Sequence, residues 1–321
     1  MEEILRVENL KKYFVKKRIF SSKTSIVKAT DRVSFSVNSG EVFVLAGESG
    51  SGKSTIAKII LKSILADSGK IIFEGQEIGN DKKSLEKIHK NCQMIHQDPY
   101  DSINPRMRIL DIISEPLEIH KIGDSNLRKK RVLEVLKEVK LEPAEEIIEK
   151  YPHMLSGGQR QRIVLARALS IKPKIILADE PVSMLDVSIR AEMLELMREL
   201  QRKYEISFIY ITHDLATARY FGNRIGILYQ GRIVEMGNID DVLFNPKHPY
   251  TQALIDAISE PDPENLHKEK TIRIIEPIEI KIEEGCRFRS RCPYAVDKCN
   301  VEPELFETGK DHSYACYLNL D

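Results

Sequence analysis

Short apolar runs organise this chain. Glu41 to Ala46 (EVFVLA), Lys174 to Ala178 and Ile206 to Thr212 are nearly continuous and bounded by polar positions, a pattern that predicts strands buried on both faces. Between the last two, Ile189 to Tyr204 places apolar residues at helical spacing. Strand, helix, strand is the order that builds a parallel sheet. The first forty residues read as strand material interrupted by a basic, serine-containing loop from Lys16 to Lys28, after which Val33 to Val37 alternates and Ser39-Gly40 turns. Ile56, Ile59, Ile60 and Ile64 predict a helix from Ser54 to Leu65, ended by Ser68-Gly69. From about Ser84 to Leu155 the chain is mostly helical, with Leu127, Val132, Val135, Leu136 and Val139 forming one stripe, and this section predicts an inserted helical lobe. Beyond Asn245 the prolines Pro246, Pro249, Pro261 and Pro263 break the pattern and set a domain boundary near residue 245.

Composition narrows the classes. The 321 residues suffice for a large domain with an appendage or for two domains, and 42% hydrophobic against 31% charged positions is a globular balance. Lysine plus arginine number 49 and aspartate plus glutamate 49, so no overall basic field points to nucleic acid, and no nucleic-acid partner is expected. No apolar run reaches the roughly 18 residues of a membrane span, and Met1-Glu2-Glu3 lacks the basic start of a secretory signal, so the chain is expected to be cytosolic.

Chemistry enters at Gly47-Glu48-Ser49-Gly50-Ser51-Gly52-Lys53-Ser54, which fits G-x-x-x-x-G-K-[ST] and lies between a buried strand and a helix start. Its glycines let the backbone wrap phosphate with amide hydrogens pointing inward, and the helix N-terminus adds its dipole. Gly47, Ser49, Gly50, Ser51, Gly52, Lys53, Ser54 and Thr55 are the expected nucleotide-binding residues. Lys53 is expected to reach the β- and γ-phosphates of ATP and Ser54 to ligate Mg²⁺. Ile175 to Glu180 is a second constellation, a buried strand ending in two carboxylates where an α/β sheet presents ligands. Asp179 is expected to hold Mg²⁺ through its water shell, and Glu180 to polarise the attacking water as general base.

Leu155-Ser156-Gly157-Gly158-Gln159 resembles the signature of ABC ATPases, and LSGGQRQRIVLARAL is similar to that family throughout. The resemblance implies that Ser156, Gly157, Gly158 and Gln159 meet the γ-phosphate bound by a second ATPase subunit in a head-to-tail sandwich. It also implies roles for Gln97 (in His96-Gln97-Asp98-Pro99) as the glutamine sensing Mg²⁺ or the attacking water, for His213 as the switch histidine, and for Asp186 as an interface aspartate. Adenine needs an aromatic platform. Tyr13 and Phe14 follow the first strand where this family carries one, and spacing from Asn9 favours Phe14. His96 to Pro116 resembles the F-type ATPase subunit of oligopeptide and dipeptide permeases, and Asn245 to Leu254, which contains His248-Pro249-Tyr250, resembles the C-terminal element of the peptide and nickel uptake group. That branch implies a sister ATPase subunit, two transmembrane permease subunits, an extracytoplasmic substrate-binding protein and a peripheral position on the cytoplasmic face of the membrane. Nickel or oligosaccharide import, or a redox-regulated non-transport ATPase, are the alternatives.

The tail adds Cys286, Cys292, Cys299 and Cys316, spaced C-x5-C-x6-C-x16-C, without the close pairs usual in structural zinc sites. Four such thiolates suit one four-iron cluster, and the run Gly285 to Pro293 resembles permease-ATPase tails, some of which carry [4Fe-4S]. Zinc, with His312 as a substitute ligand, and unligated thiols are the other readings. Cys92 is expected to be a small buried apolar residue. The fold expected is an α/β ABC-type nucleotide-binding domain over residues 1–245. It would carry an antiparallel β element and a helical subdomain at about 85–165, followed by a small Cys-rich C-terminal domain over 246–321.

Overall fold

A computed structural model describes residues 2–17, 24–257, 284–308 and 311–318. The apolar runs form β3 (Val42–Ala46), β7 (Ile175–Asp179) and β8 (Ser207–Thr212), each buried along its whole length. They lie parallel to one another and to β9 (Arg224–Tyr229) and β6 (Cys92–Ile95). Crossovers are made by α1 (Lys53–Ile60), α7 (Gly157–Ser170), α8 (Val187–Tyr204) and α9 (Leu215–Phe221). Antiparallel β10 (Arg232–Asn238) extends the sheet beside β9, and the tail strands β11 (Phe306–Glu307) and β12 (Ser313–Tyr314) complete the order β11-β12-β10-β9-β3-β8-β7-β6. Successive residues on a strand face opposite ways, and this divides the interior in two. Val42, Val44, Ile176, Ala178, Phe208 and Tyr210 point into the core shared with the helices beyond β6, whereas Phe43, Leu45, Ile175, Leu177, Ile209 and Ile211 point into the core shared with α1.

Over that second face lies an antiparallel sheet of β1 (Glu3–Lys17), β2 (Thr24–Asn38), β4 (Ser68–Phe73) and β5 (Gln76–Glu77), in the order β2-β1-β4-β5. Pairing of β1 with β2 continues to Lys17↔Thr24, so most of the stretch read as a basic loop is strand, and only 18–23 fall outside the described residues. The first helix is shorter than its apolar spacing implied. Lys62 takes φ 57°, outside helical geometry, while Leu61 and Ile64 still pack on the core without being helical. Ser68 and Gly69 open β4 instead of closing the helix.

After α2 (Lys82–Asn91), β6 interrupts the helical section and takes the edge of the main sheet beside β7. The lobe proper consists of α3 (Pro99–Ser102), α4 (Ile109–Ile119), α5 (Ser125–Glu138), α6 (Ala144–Ile147) and the first part of α7. Val132, Val135, Leu136 and Val139 are buried as their stripe predicts, but Leu127 is 54% exposed, at the free start of α5. Cys92 is buried in β6 as expected. Among the described residues no helix is long and apolar enough to cross a membrane.

A separate Cys-rich C-terminal domain is not supported. α10 (Ile239–Phe244) and α11 (Pro249–Asp256) continue directly from β10. Further on, Phe288 and Cys292 belong to the main core, β12 pairs with β10, and Ala315 N–H donates to Val234 O at 2.8 Å. The physical reason is that the tail has too few apolar residues to bury among themselves, so it buries Phe288 against Tyr229 and Tyr250. The expectation of a four-iron cluster is not supported either. Cys286, Cys292, Cys299 and Cys316 come within electrostatic reach of one another, yet among the described residues no three His, Cys, Asp or Glu side chains are arranged to hold a metal ion. Burial raises the thiols of Cys286, Cys292 and Cys316, that of Cys286 to about 11. As arranged, this donor set fits neither cluster nor zinc.

Candidate active site

The glycine-rich loop runs from the end of β3 into α1. Gly47 (φ 150°) and Gly52 (φ 110°) are there because nothing larger fits: a Cβ would lie 2.1 Å from the carbonyl oxygen of Leu228 at the first and 2.0 Å from that of Ala29 at the second. The loop is thus clasped between β2 and the β9–β10 turn, and Gly231 N–H donates to Ser51 O at 2.7 Å. Gly52 starts α1 without a side-chain cap, which leaves first-turn amides available to an anion. Lys53, 5% exposed, donates through Nζ to Gly47 O at 2.7 Å, to Glu48 O at 2.9 Å and to Ser51 Oγ at 3.4 Å. Burial pushes its pKa down, while Glu180, Asp179 and Glu48 pull it back up.

Asp179 ends β7 and is hydrogen-bonded to the Ser54 hydroxyl; burial raises its carboxyl above the ordinary range against that bond. A cation, a hydroxyl and a carboxylate meeting at a helix start form a donor set that fits a magnesium–nucleotide pair. The next residue turns sharply. Glu180 has φ 47°, a left-handed conformation that costs a side-chain-bearing residue roughly 1–3 kcal/mol. Its N–H donates to Ile211 O at 2.9 Å, which anchors the turn to β8. The turn aims the carboxylate between two other elements. Gln97 Nε2 donates to Glu180 Oε2 at 3.0 Å, and His213 Nδ1 lies 2.8 Å from Glu180 Oε1. The Glu180 side chain is 14% exposed and that of His213 58%. Ser54, His96, Gln97, Arg167 and Asp179 line a cleft of about 720 Å³ between core and helical lobe. Residues from four separate stretches of sequence therefore converge here.

The other glycine-rich start is built differently. At the head of α7, Gln159 N–H donates to Ser156 Oγ at 3.3 Å and Ser156 N–H to Gln159 Oε1 at 3.0 Å, a reciprocal cap. Ser156 and Gly157 are exposed, and Gly157 has open space where a Cβ would sit.

Comparison with known proteins agrees with this geometry. Residues 30–183 match the family model described as ABC transporter, and 234–299 that described as oligopeptide/dipeptide transporter, C-terminal region. The chain is 40% identical to the oligopeptide transport ATP-binding protein AppF of Bacillus subtilis (strain 168), over 99% of this chain and 98% of that protein. The chain belongs to the ABC transporter ATP-binding family. It is also 45% identical to the oligopeptide transport ATP-binding protein OppF of Streptococcus mutans serotype c, over 87% of this chain and 88% of that one. Among solved structures, cbiO1 from Clostridium perfringens, part of an ABC transporter complex, superposes with a TM-score of 0.65 at 26% identity, covering 76% of this chain and 92% of that one. The ATP-binding cassette MJ0796, in a dimeric post-hydrolysis state bound to ADP and Pi, gives 0.64 at 29% identity, covering 74% and 99%.

In this ABC cassette Asp186 starts α8 at the surface without capping it, flanked by Met184 and Val187, which are 63% and 81% exposed. Of the two candidate aromatic platforms, Tyr13 is tied down, its hydroxyl donating to Asp31 Oδ1 at 2.7 Å, whereas Phe14 is 38% exposed. Burial and that bond push the Tyr13 phenol up to about 12. Sequence reasoning missed the residues that brace the cassette from behind. Arg287 donates to Asp31 and to the Gln230 carbonyl, the Tyr250 hydroxyl accepts from Glu48 N–H at 2.9 Å, and buried Glu235 accepts from Lys247 N–H, His248 N–H and His312. Tyr250 lies within the stretch Asn245 to Leu254 singled out above, but a pairing across 202 positions leaves no local signal.

Proposed function

We propose that this chain is the ATP-hydrolysing subunit of an ABC importer of oligopeptides or dipeptides. One observation carries the reading: Glu180 sits at the end of β7 between Gln97 and His213, next to Asp179, Ser54 and Lys53. Glu180 accepts the proton of the water that attacks the γ-phosphorus, as the new oxygen–phosphorus bond forms and the bond to the β-phosphate oxygen breaks. Gln97 and His213 hold that carboxylate in line. Lys53 compensates the β- and γ-phosphate charge, with Gly47, Ser49, Gly50, Ser51, Gly52 and Thr55 forming the cradle. Ser54 and Asp179 would hold Mg²⁺, which neutralises phosphate charge when bound. Phe14 supplies the stacking face for adenine.

Ser156, Gly157, Gly158, Gln159 and Asp186 face the nucleotide of a sister ATPase subunit in this reading, and the dimeric state of the solved cassette bound to ADP and Pi supports it. Residues 1–245 act as the nucleotide-binding unit, with its helical subdomain at about 85–165, and 246–321 as the extension characteristic of the oligopeptide branch. The relatives' names support peptide as cargo. In this reading the chain works with two permease subunits and an extracytoplasmic binding protein, from a peripheral position on the cytoplasmic face of the membrane. The four tail cysteines are assigned no ligand. Affinity isolation from membranes through a tag after Asp321 tests the assembly: permeases, a second ATPase and ATP hydrolysis stimulated by peptide-loaded binding protein are expected. Recovery only from soluble extract, without partners, would overturn the transport assignment.

A further inference from the structure

Within the phosphate loop, Glu48 is held on two sides by the C-terminal extension. Its backbone N–H donates to the hydroxyl of buried Tyr250 at 2.9 Å. Its carboxylate is gripped by the fork of Arg291, with Nη1 3.0 Å from Oε2 and Nη2 3.1 Å from Oε1, across 243 positions of sequence. The Arg291 side chain is 16% exposed and that of Glu48 45%. Its orientation is set by the aromatic cluster beneath: the guanidinium carbon lies 5.8 Å from the ring centre of Tyr229 and 5.7 Å from that of Phe288. Tyr229 in turn packs 4.5 Å from Tyr250, ring centre to ring centre, so both contacts to Glu48 rise from one packed platform.

A carboxylate in this loop is a liability. Glu48 is one of the three acids whose charge acts on Lys53, the cation placed to meet phosphate. Left uncompensated, it repels the polyphosphate and competes for the Lys53 ammonium. A bidentate guanidinium cancels the charge and fixes its position at once. We infer that Arg291 is a positioning residue for nucleotide binding, neutralising Glu48 and pinning the phosphate loop, so that the cysteine-bearing tail sets the affinity of the cassette for ATP. This inference rests on the nucleotide reading of the loop.

The test measures binding of Mg-ATP, Mg-ADP and AMP to the full chain by fluorescence anisotropy, for the unsubstituted protein, Arg291→Ala, Arg291→Lys, Glu48→Gln and the Arg291→Ala/Glu48→Gln double variant. Arg291→Ala should weaken ATP roughly fivefold, AMP least, with the defect shrinking as salt rises. Arg291→Lys should lose less. Glu48→Gln should restore the Arg291→Ala protein to within about twofold of the unsubstituted chain, because removing the acid removes the need for its partner. A purely structural arginine would not be rescued in this way, nor would its loss rank the nucleotides by charge. Unchanged ATP affinity in a folded Arg291→Ala protein, or no recovery on adding Glu48→Gln, would overturn the inference. Failure of the unsubstituted chain to bind ATP would instead overturn the nucleotide reading.

Discussion

Two helices of this chain begin at glycine-rich loops, and they are finished in opposite ways. α1 opens inside the fold, with buried Lys53 turned onto the loop and Asp179 bonded to Ser54. α7 opens at the surface, its Ser156 and Gln159 capping each other, and its Gly158 lies against Ile189 of α8, whose start carries exposed Met184 and Val187. Both starts offer the same elementary asset, amides and a dipole suited to an anion. The difference is in what surrounds them. A helix start becomes a site where the same chain brings up a cation and carboxylates; without those it is an exposed, self-capped end.

The largest effect expected is on the α1 side. Glu180→Gln should lower ATP turnover at least roughly 100-fold while ATP affinity is kept, since the amide accepts no proton yet fills the same space; near-normal steady-state turnover would remove Glu180 from the role of base. Lys53→Ala should weaken ATP binding itself by roughly 10- to 100-fold, the loss of charge-assisted bonds to phosphate. Titration calorimetry giving an unchanged constant would erase the distinction between the two helix starts.

A further effect concerns the support under the loop. His248 caps α11 by accepting Tyr250 N–H at Nδ1, 3.0 Å away, and burial lowers its pKa to about 4, with Glu235 opposing. The unfolded chain takes up that proton near pH 6.5 and the folded one only near 4. Stability from this group is therefore complete above about pH 6.5 and falls as pH drops towards 4, by at most about 1.4 kcal/mol per pH unit. Urea midpoints across that window should show the slope, and His248→Asn, which keeps a cap but does not titrate there, should flatten it. The smallest effect belongs to α7: Ser156→Ala should cost about 1 kcal/mol through the lost cap and leave the ATP affinity of the isolated chain unchanged. A drop in affinity would mean that both helix starts serve one chain's nucleotide.

What was legible in the sequence follows the same division. β3, β7 and β8 were readable because strands buried on both faces are continuous apolar runs, and the phosphate loop because its backbone geometry admits few residues. The end of α1 was not, because Leu61 and Ile64 still pack, partly buried, against the core after the helix stops, so their spacing continues a pattern the backbone has left. The convergence of Gln97, Glu180 and His213 was legible only through resemblance, since no local rule joins three strand ends. The cysteine spacing suggested a cluster, but spacing says nothing of where buried sulfurs point. The same segment's arginines, Arg287 and Arg291, bind residues near the opposite end of the chain and left no trace.

The pairing of β12 with β10 has a practical consequence. Glu235↔Tyr314 and Met236↔Ser313 close what is otherwise the open margin of the main sheet. A protein shortened to end after α11 would carry every nucleotide motif and still expose the β10 backbone as a template for a neighbouring molecule. It would be expected to self-associate, so activity lost on trimming the tail has to be separated from material lost to aggregation.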